Sequence, residues 1–237
     1  MNRLTGKRAM VLGGSRGIGA AIVQRFAAEG AAVTFTYVQA EDRAVALASS
    51  TGAQALRVDS ADRAALVRAV SEAGPLDILV ANAATAVFGD PLAVDPDAVD
   101  AMIDINIRAV WHAFVEAARH MAEGGRLIAI GSANADRVPT LGGGAYAMTK
   151  AALAGLVRGL ARDLGGRGIT VNVVQPGPVD TDANPAEGPF AAKLHGFMAI
   201  PRHVRADEVA ALVAWLASAE AAMVTGSTQT IDGGFSA

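Results

Sequence analysis

Short apolar runs rich in β-branched residues alternate with longer stretches of helical periodicity along the whole chain, and this alternation limits the fold more than any other feature. RAMVLG (8–13), AAVTFTY (31–37), AQALRVD (53–59), LDILVANAA (76–84), RLIAIGS (126–132), ITVNVVQPG (169–177) and STQTIDGG (227–234) read as strands. Helical patterns fill 17–30, 41–51, 61–74, about 95–122, about 145–165 and 205–218. Strands separated in this way need crossover connections. The expected fold is therefore α/β: a doubly wound, mostly parallel sheet of about seven strands, Rossmann-like, with helices on both faces. One domain is expected to span residues 1–237. Segment 178–204 carries four prolines and follows a strand's carboxyl end, where open α/β sheets bind ligands, so it is a candidate lid.

Composition narrows the function. Apolar residues make up 52% and charged residues 18%, which argues against disorder. A net charge of −3 without a Lys/Arg block gives no footprint for a nucleic-acid polymer. The absence of cysteine removes disulfides and thiolate chemistry. No signal-peptide pattern and no run of about 18 apolar residues is present, so a cytoplasmic, non-membrane protein is expected. His112 and His120 stand eight apart on one helix, which does not suggest a metal site.

The turn LGGSRGIG lies between the first strand and the first helix. Gly13, Gly14, Gly17 and Gly19 permit a tight turn and close approach to a phosphate, and the helix start offers free N–H groups. Glycine-rich turns alone say little; this position in a β–α unit makes dinucleotide binding the expectation. The second strand ends Phe35-Thr36-Tyr37-Val38-Gln39 without a carboxylate for a ribose 2′-hydroxyl. Arg16 can face a 2′-phosphate and Thr36 can add a hydroxyl, so NADP(H) is favoured, with NAD(H) as the alternative. Asp59 can reach the adenine or cap the following helix, and the two roles are not exclusive.

These residues resemble the short-chain dehydrogenase/reductase family over essentially the whole chain. The resemblance rests on Gly13-x3-Gly17-x-Gly19, Asp59, Asn82-Ala83-Ala84, Asn106, Ser132, Tyr146-x3-Lys150, and Pro176-Gly177 followed by Thr181, all in order. It implies that Tyr146 is the general acid/base, Lys150 its partner, Ser132 the hydroxyl that orients substrate and Asn106 part of a proton relay. The implied cofactor contacts are Gly13, Ser15, Arg16, Gly17, Ile18, Gly19, Thr36, Asp59, Ser60, Asn82, Ala83, Ala84, Tyr146, Lys150, Pro176, Gly177, Val179 and Thr181. Leu12 and Ala84 depart from the family's usual Thr and Gly. Family members are commonly tetramers or dimers built on the helices corresponding to 95–122 and 145–165, so a homo-oligomer is expected.

Tyr146 and Lys150 alone, four apart on a helix, could be a solvated pair. Within the motif set their chemistry is coherent: a nearby ammonium stabilises a phenolate and lowers a pKa that is otherwise near 10. The expected reaction is hydride transfer between a nicotinamide and a small carbonyl or alcohol. Asn134, Phe190, His195 and Phe197 are substrate candidates, and the apolar character of Phe190, Phe197, Met198 and Ile200 suggests a small apolar compound. Lys193, Arg202 and Arg205 form no basic cluster for an acidic carrier protein. A second expectation is a cyclic-di-GMP-binding protein promoting biofilm dispersal on the same scaffold. LGGSRGIGAAIV, DSADR, GLARDLGGRGITVNVVQPGPVDTDANPA and VAWLA resemble such members of the family. A turn that holds a pyrophosphate offers its N–H groups and Arg16 to another dinucleotide's phosphates.

Overall fold

The computed structural model describes residues 2–237. Seven strands form one sheet: β1 (Arg8–Leu12), β2 (Ala32–Tyr37), β3 (Gln54–Arg57), β4 (Ile78–Ala81), β5 (Arg126–Ile130), β6 (Thr170–Pro176) and β7 (Thr228–Ile231). Their order is β3-β2-β1-β4-β5-β6-β7 and every pairing is parallel. The order reverses between β1 and β4, which opens a crevice at their carboxyl ends.

Alternation along β1 shows how the layers form. Ala9 and Val11 face one core with α1 (Gly17–Ala28), α2 (Glu41–Thr51) and α8 (Ala206–Ala217). Met10 and Leu12 face the other, with α3 (Arg63–Glu72), α5 (Ala109–His120) and α6 (Gly144–Leu164). A strand buried on both faces needs apolar residues at every position, which is why the sequence runs are continuous rather than alternating. Leu12, where the family usually has threonine, lies in this second core, and its carbonyl accepts the Ala83 N–H at 2.8 Å.

The expected helix at 95–122 is present with one irregularity. It begins at α4 (Pro96–Ile103), where Asp95 caps the Asp97 N–H at 3.1 Å and proline occupies the first turn. A π-helical turn, Asp104–Arg108, then joins α4 to α5. The inserted residue in such a turn re-aims the neighbouring side chains, here Asn106. Segment 178–204 is anchored by a parallel bridge between Val179 and Val204 and contains the short α7 (Ala191–His195). No helix among the described residues is long and apolar enough to cross a membrane.

Phe114 of α5 is fully buried in the second core. Phe114→Ala is expected to lower unfolding free energy by about 3–5 kcal/mol, measured by urea denaturation.

Candidate active site

The turn between β1 and α1 is built by hydrogen bonds that leave its outer surface free. Gly13 adopts φ +74°, and a Cβ there would stand 2.8 Å from the Ala83 backbone. Its N–H donates to Thr36 Oγ1 at 2.9 Å, its carbonyl accepts from Asn82 Nδ2 at 2.7 Å, and the Gly14 N–H donates to the Thr36 carbonyl at 2.8 Å. At Gly19 a Cβ would collide with the Gly13 carbonyl and stand 2.6 Å from Asn82 Nδ2. Thr36 is therefore not a phosphate contact: it is 1% exposed and its hydroxyl is spent on Gly13.

Beside this turn lies a cleft of about 260 Å³ lined by Arg16, Gly17 and Ile18, by Asn82 and Ala84 after β4, by Ile130 and Gly131 at the end of β5, by Tyr146 and Lys150, and by 181–183. A Cβ on Gly17 would meet the Thr181 methyl at 3.2 Å, so the cleft is open there because the residue is glycine. These residues fit a dinucleotide: a backbone cradle at a helix start, with an arginine beside it. Ser15 lies in the turn itself, Ser60 is buried beyond β3, and Val179 is buried at the lid's anchor. Gly177 follows β6, its N–H donating to the Ile231 carbonyl at 3.0 Å, and a Cβ there would strike Asp232. Asp59 accepts the Ala61 N–H at 2.9 Å, whereas α3 itself is capped by Asp62. Asp59 thus secures the turn before the helix.

Tyr146 stands in the first turn of α6 and Lys150 one turn on, with Nζ 5.8 Å from the phenol ring centre. Lys150 is 3% exposed and donates to the Ile130 carbonyl at 3.0 Å. Burial pushes its amine down to about 8. Burial also raises the Tyr146 phenol, while hydrogen bonding with the Ser132 hydroxyl pulls it down. Ser132 Oγ in turn accepts the Asn134 N–H at 3.2 Å at the start of a short 3₁₀ turn. Thus Asn134 reaches the site through its backbone.

Asn106 is fully buried. Its Oδ1 accepts the Thr85 N–H at 3.0 Å, and its Nδ2 donates to the Thr85 carbonyl at 2.9 Å and to Thr149 Oγ1 at 3.0 Å. Thr149 donates to the Tyr146 carbonyl at 2.8 Å. The side chain ties the segment after β4 to the start of α6.

The lid residues separate into two groups. Phe190 is exposed. His195 lies 2.7 Å from His203 Nδ1, ring edge to ring face, rather than in the cleft. Phe197 packs edge-on to Phe235 at 6.1 Å, and the Arg137 guanidinium lies over both rings. Neither His195 nor Phe197 lines the cleft.

Three features were not read from the sequence. Phe88, 55% exposed, lies 5.3 Å from the Tyr146 ring and near Gly143. The Gly89 N–H donates to the Gly142 carbonyl at 3.1 Å, clasping the two loops at the mouth. Arg43, in the first turn of α2, pairs with Asp182 of the lid, and this ion pair holds the Asp182 carboxyl below its ordinary range. Phe88 carried no motif; an isolated aromatic in a loop has no sequence signal.

A doubly wound sheet with a glycine turn at its switch point and a Ser–Tyr–Lys cluster at its carboxyl edge defines a class. The chain belongs to the short-chain dehydrogenase/reductase family, the NAD(P)-dependent oxidoreductases of this fold. The family model described as enoyl-(acyl carrier protein) reductase matches residues 13–236. The cyclic-di-GMP-binding biofilm dispersal mediator protein of Escherichia coli (strain K12) is 58% identical over 237 residues, covering 100% of both chains. The crystal structure of BdcA in complex with NADPH superposes with a TM-score of 0.98 at 58% identity, covering 99% of this chain and 96% of that one. A short chain dehydrogenase from Burkholderia cenocepacia J2315, solved in complex with NADP, gives a TM-score of 0.97 at 49% identity over 99% of this chain and 100% of that one.

A lysine whose pKa falls from 10.5 to about 8 on folding binds fewer protons folded than unfolded between those values. Its contribution to stability therefore rises with pH across that window. Thermal melts from pH 8 to 10.5 are expected to show the native protein gaining stability relative to Lys150→Met as pH rises. Parallel curves would mean that the amine keeps an ordinary pKa.

Proposed function

We propose that the protein is an NADP(H)-dependent carbonyl reductase or alcohol dehydrogenase acting on small, apolar carbonyl compounds. The observation that carries the reading is the pairing of a buried Lys150 amine with the Tyr146 phenol on the wall of the cleft that Arg16 also lines. Bound in the cleft, the nicotinamide supplies or takes up a hydride. Tyr146 gives its proton to the carbonyl oxygen during reduction and takes it back during oxidation. Ser132 holds that oxygen against the phenol. Lys150, cationic below about 8, stabilises the phenolate left behind. Asn106 serves this chemistry as a positioning residue, through its bonds to Thr85 and Thr149.

Arg16, with Arg43 close by at the lid contact, supports NADP(H) over NAD(H), as do relatives solved with NADPH and NADP. Gly13, Ser15, Gly17, Ile18, Gly19, Asn82, Ala83, Ala84, Pro176, Gly177 and Thr181 complete the cofactor set. Residues 178–204 act as lid of a single domain. The exposed apolar Phe88, Val138, Leu141 and Phe190 favour a substrate with an apolar substituent. Trp111 of α5 and Met148 of α6 are exposed on the helices expected to pair subunits, which supports a homo-oligomer. The protein is assigned to the cytoplasm.

A second reading, cyclic-di-GMP binding with an influence on biofilm dispersal, is favoured by the full-length 58% identity to the relative of that name. It is compatible with the first, because a protein can carry both a cofactor cleft and a second nucleotide site.

Tyr146→Phe is expected to abolish NADPH-dependent carbonyl reduction while leaving NADPH binding within about twofold, since only the acid is removed. Retained turnover excludes Tyr146 as the acid. Arg16→Ala is expected to weaken NADPH by roughly tenfold or more and NADH little, from the loss of a charge-assisted phosphate contact. Calorimetric titration checks both, and equal losses would remove the case for NADP(H).

A further inference from the structure

Ser132 stands on a turn whose far side is buried in a small core of its own. Ala133 is packed with Met198 of the lid and with Phe235, and Leu194 and Phe197 lie against them. This cluster is separate from the two cores that flank the sheet. It joins three segments distant in sequence: the turn after β5, the lid around α7, and residues 232–236 beyond β7. The 232–236 segment is itself fixed. Asp232 is 7% exposed and accepts the N–H groups of Gly234 and Ser236, each at 2.8 Å, and the Ser236 hydroxyl at 2.5 Å. The two glycines then seat against the lid. The Ile200 N–H donates to the Gly233 carbonyl at 2.8 Å, and a Cβ on Gly234 would stand 2.7 Å from that of Ala199.

Arg137 links this small core to the Ser132 turn. Its N–H donates to the Ala133 carbonyl at 3.0 Å, beside the Ala135 N–H, which donates to the Ser132 carbonyl at 2.9 Å. Its guanidinium donates to the Phe235 carbonyl and lies 5.7 Å from the centre of the Phe197 ring and 5.8 Å from that of Phe235. A cation within about 6 Å of a ring centre is attracted by its π face. A planar guanidinium can stack and donate at once, which an ammonium cannot do in the same geometry. Arg137 does not line the cleft, so what it contributes there is transmitted through the turn.

We propose that Arg137 is a positioning residue: it clasps the lid and the 232–236 segment to the turn that carries Ser132, and so fixes the Ser132 hydroxyl against the Tyr146 phenol. Within the turn the Ser132 oxygen accepts the Asn134 N–H at 3.2 Å, a local bond that moves with the turn. Where the oxygen stands relative to the phenol is therefore decided by what holds the turn to the rest of the fold. Upstream that is the sheet, through the Gly131 N–H on the Val174 carbonyl at 2.7 Å; downstream it is Arg137. Because Phe197 belongs to the lid, a displacement of the lid passes to Ser132 through the same stack. The meaning of the clasp for turnover rests on the oxidoreductase reading above; its effect on the phenol does not.

The chain has two tyrosines, Tyr37 and Tyr146, so tyrosine isotopically labelled at the ring ζ carbon gives two resonances, and Tyr37→Phe assigns the one from Tyr146. In the full-length protein, Ser132→Ala is expected to move the Tyr146 resonance by removing the hydrogen bond to the phenol. Arg137→Ala is expected to move it in the same direction, although its guanidinium bonds to neither group. Ser132→Ala/Arg137→Ala should move it no farther than Ser132→Ala alone, because the two act on one contact. Phe197→Leu removes one ring, keeps the carbonyl bond and should give a smaller shift of the same sign, so the test stands even where Arg137→Ala does not fold. With acetophenone and NADPH, Arg137→Ala should lower kcat by roughly ten- to a hundredfold, as for a misplacement of about 1 Å, while the calorimetric affinity for NADPH stays within about twofold. A resonance unmoved by Arg137→Ala and Phe197→Leu, or shifts that add in the double variant, would overturn the positioning role. So would a resonance that Ser132→Ala itself leaves in place, or an NADPH affinity that falls in step with kcat. No turnover by the native protein would count against the oxidoreductase reading instead, and the resonances would still decide whether Arg137 places Ser132.

Discussion

In-register parallel pairing is the constraint on which the site depends. Leu12 pairs with Ala81, Ala81 with Ala129, and Ala129 with Val173, so β1, β4, β5 and β6 end at one edge. The glycine turn after β1, the Asn82 loop, Gly131 with Ser132, and the 176–181 segment are thereby brought side by side from distant parts of the chain. Parallel strands are held by hydrogen bonds on both flanks and by apolar side chains on both faces. A slip of one residue would turn every side chain to the opposite face. The geometry of the cleft is thus set by the core rather than by the loops that line it.

On this frame the polar groups near the cleft divide into those that hold and those that face outward. Thr36 and Asn82 are spent on backbone groups of the glycine turn, and Asn106, through Thr85 and the Thr149 hydroxyl, joins the segment after β4 to α6. Lys150 is different. Its amine is buried with one carbonyl partner, which is why its proton is held loosely. An amine poised in this way is costly to a fold and useful beside a phenol, where its charge matters most in a poorly hydrated setting. The exposed aromatic Phe88 covers the phenol from the mouth side, and the Gly89–Gly142 bond holds that cover in place.

The order of elements, the glycine turn and the Tyr146–Lys150 spacing were legible because each is a local pattern: a period, a turn requirement, or one helical turn. The π turn at Asn106 was not, since its sequence continues a helical period without a break, and its partners Thr85 and Thr149 meet it only in the folded chain. Thr36 was misread as a ligand contact because pattern does not reveal which face of an edge-adjacent strand a hydroxyl takes. His195 and Phe197 were assigned to substrate from their place in the lid. In the fold they close instead on His203 and Phe235, partners that no spacing rule connects.

The sequence by itself determined the class of fold, the glycine turn after β1 and the Tyr146–Lys150 spacing on one helix, because these depend on residue types within a few positions of one another. Tertiary structure alone decided which polar side chains are structural, where Phe88 and Asp182 come to lie, and that Arg137 meets Phe197 and Phe235. Those outcomes depend on which surfaces meet after the sheet has closed. Contacts between residues tens of positions apart are written in packing, not in periodicity.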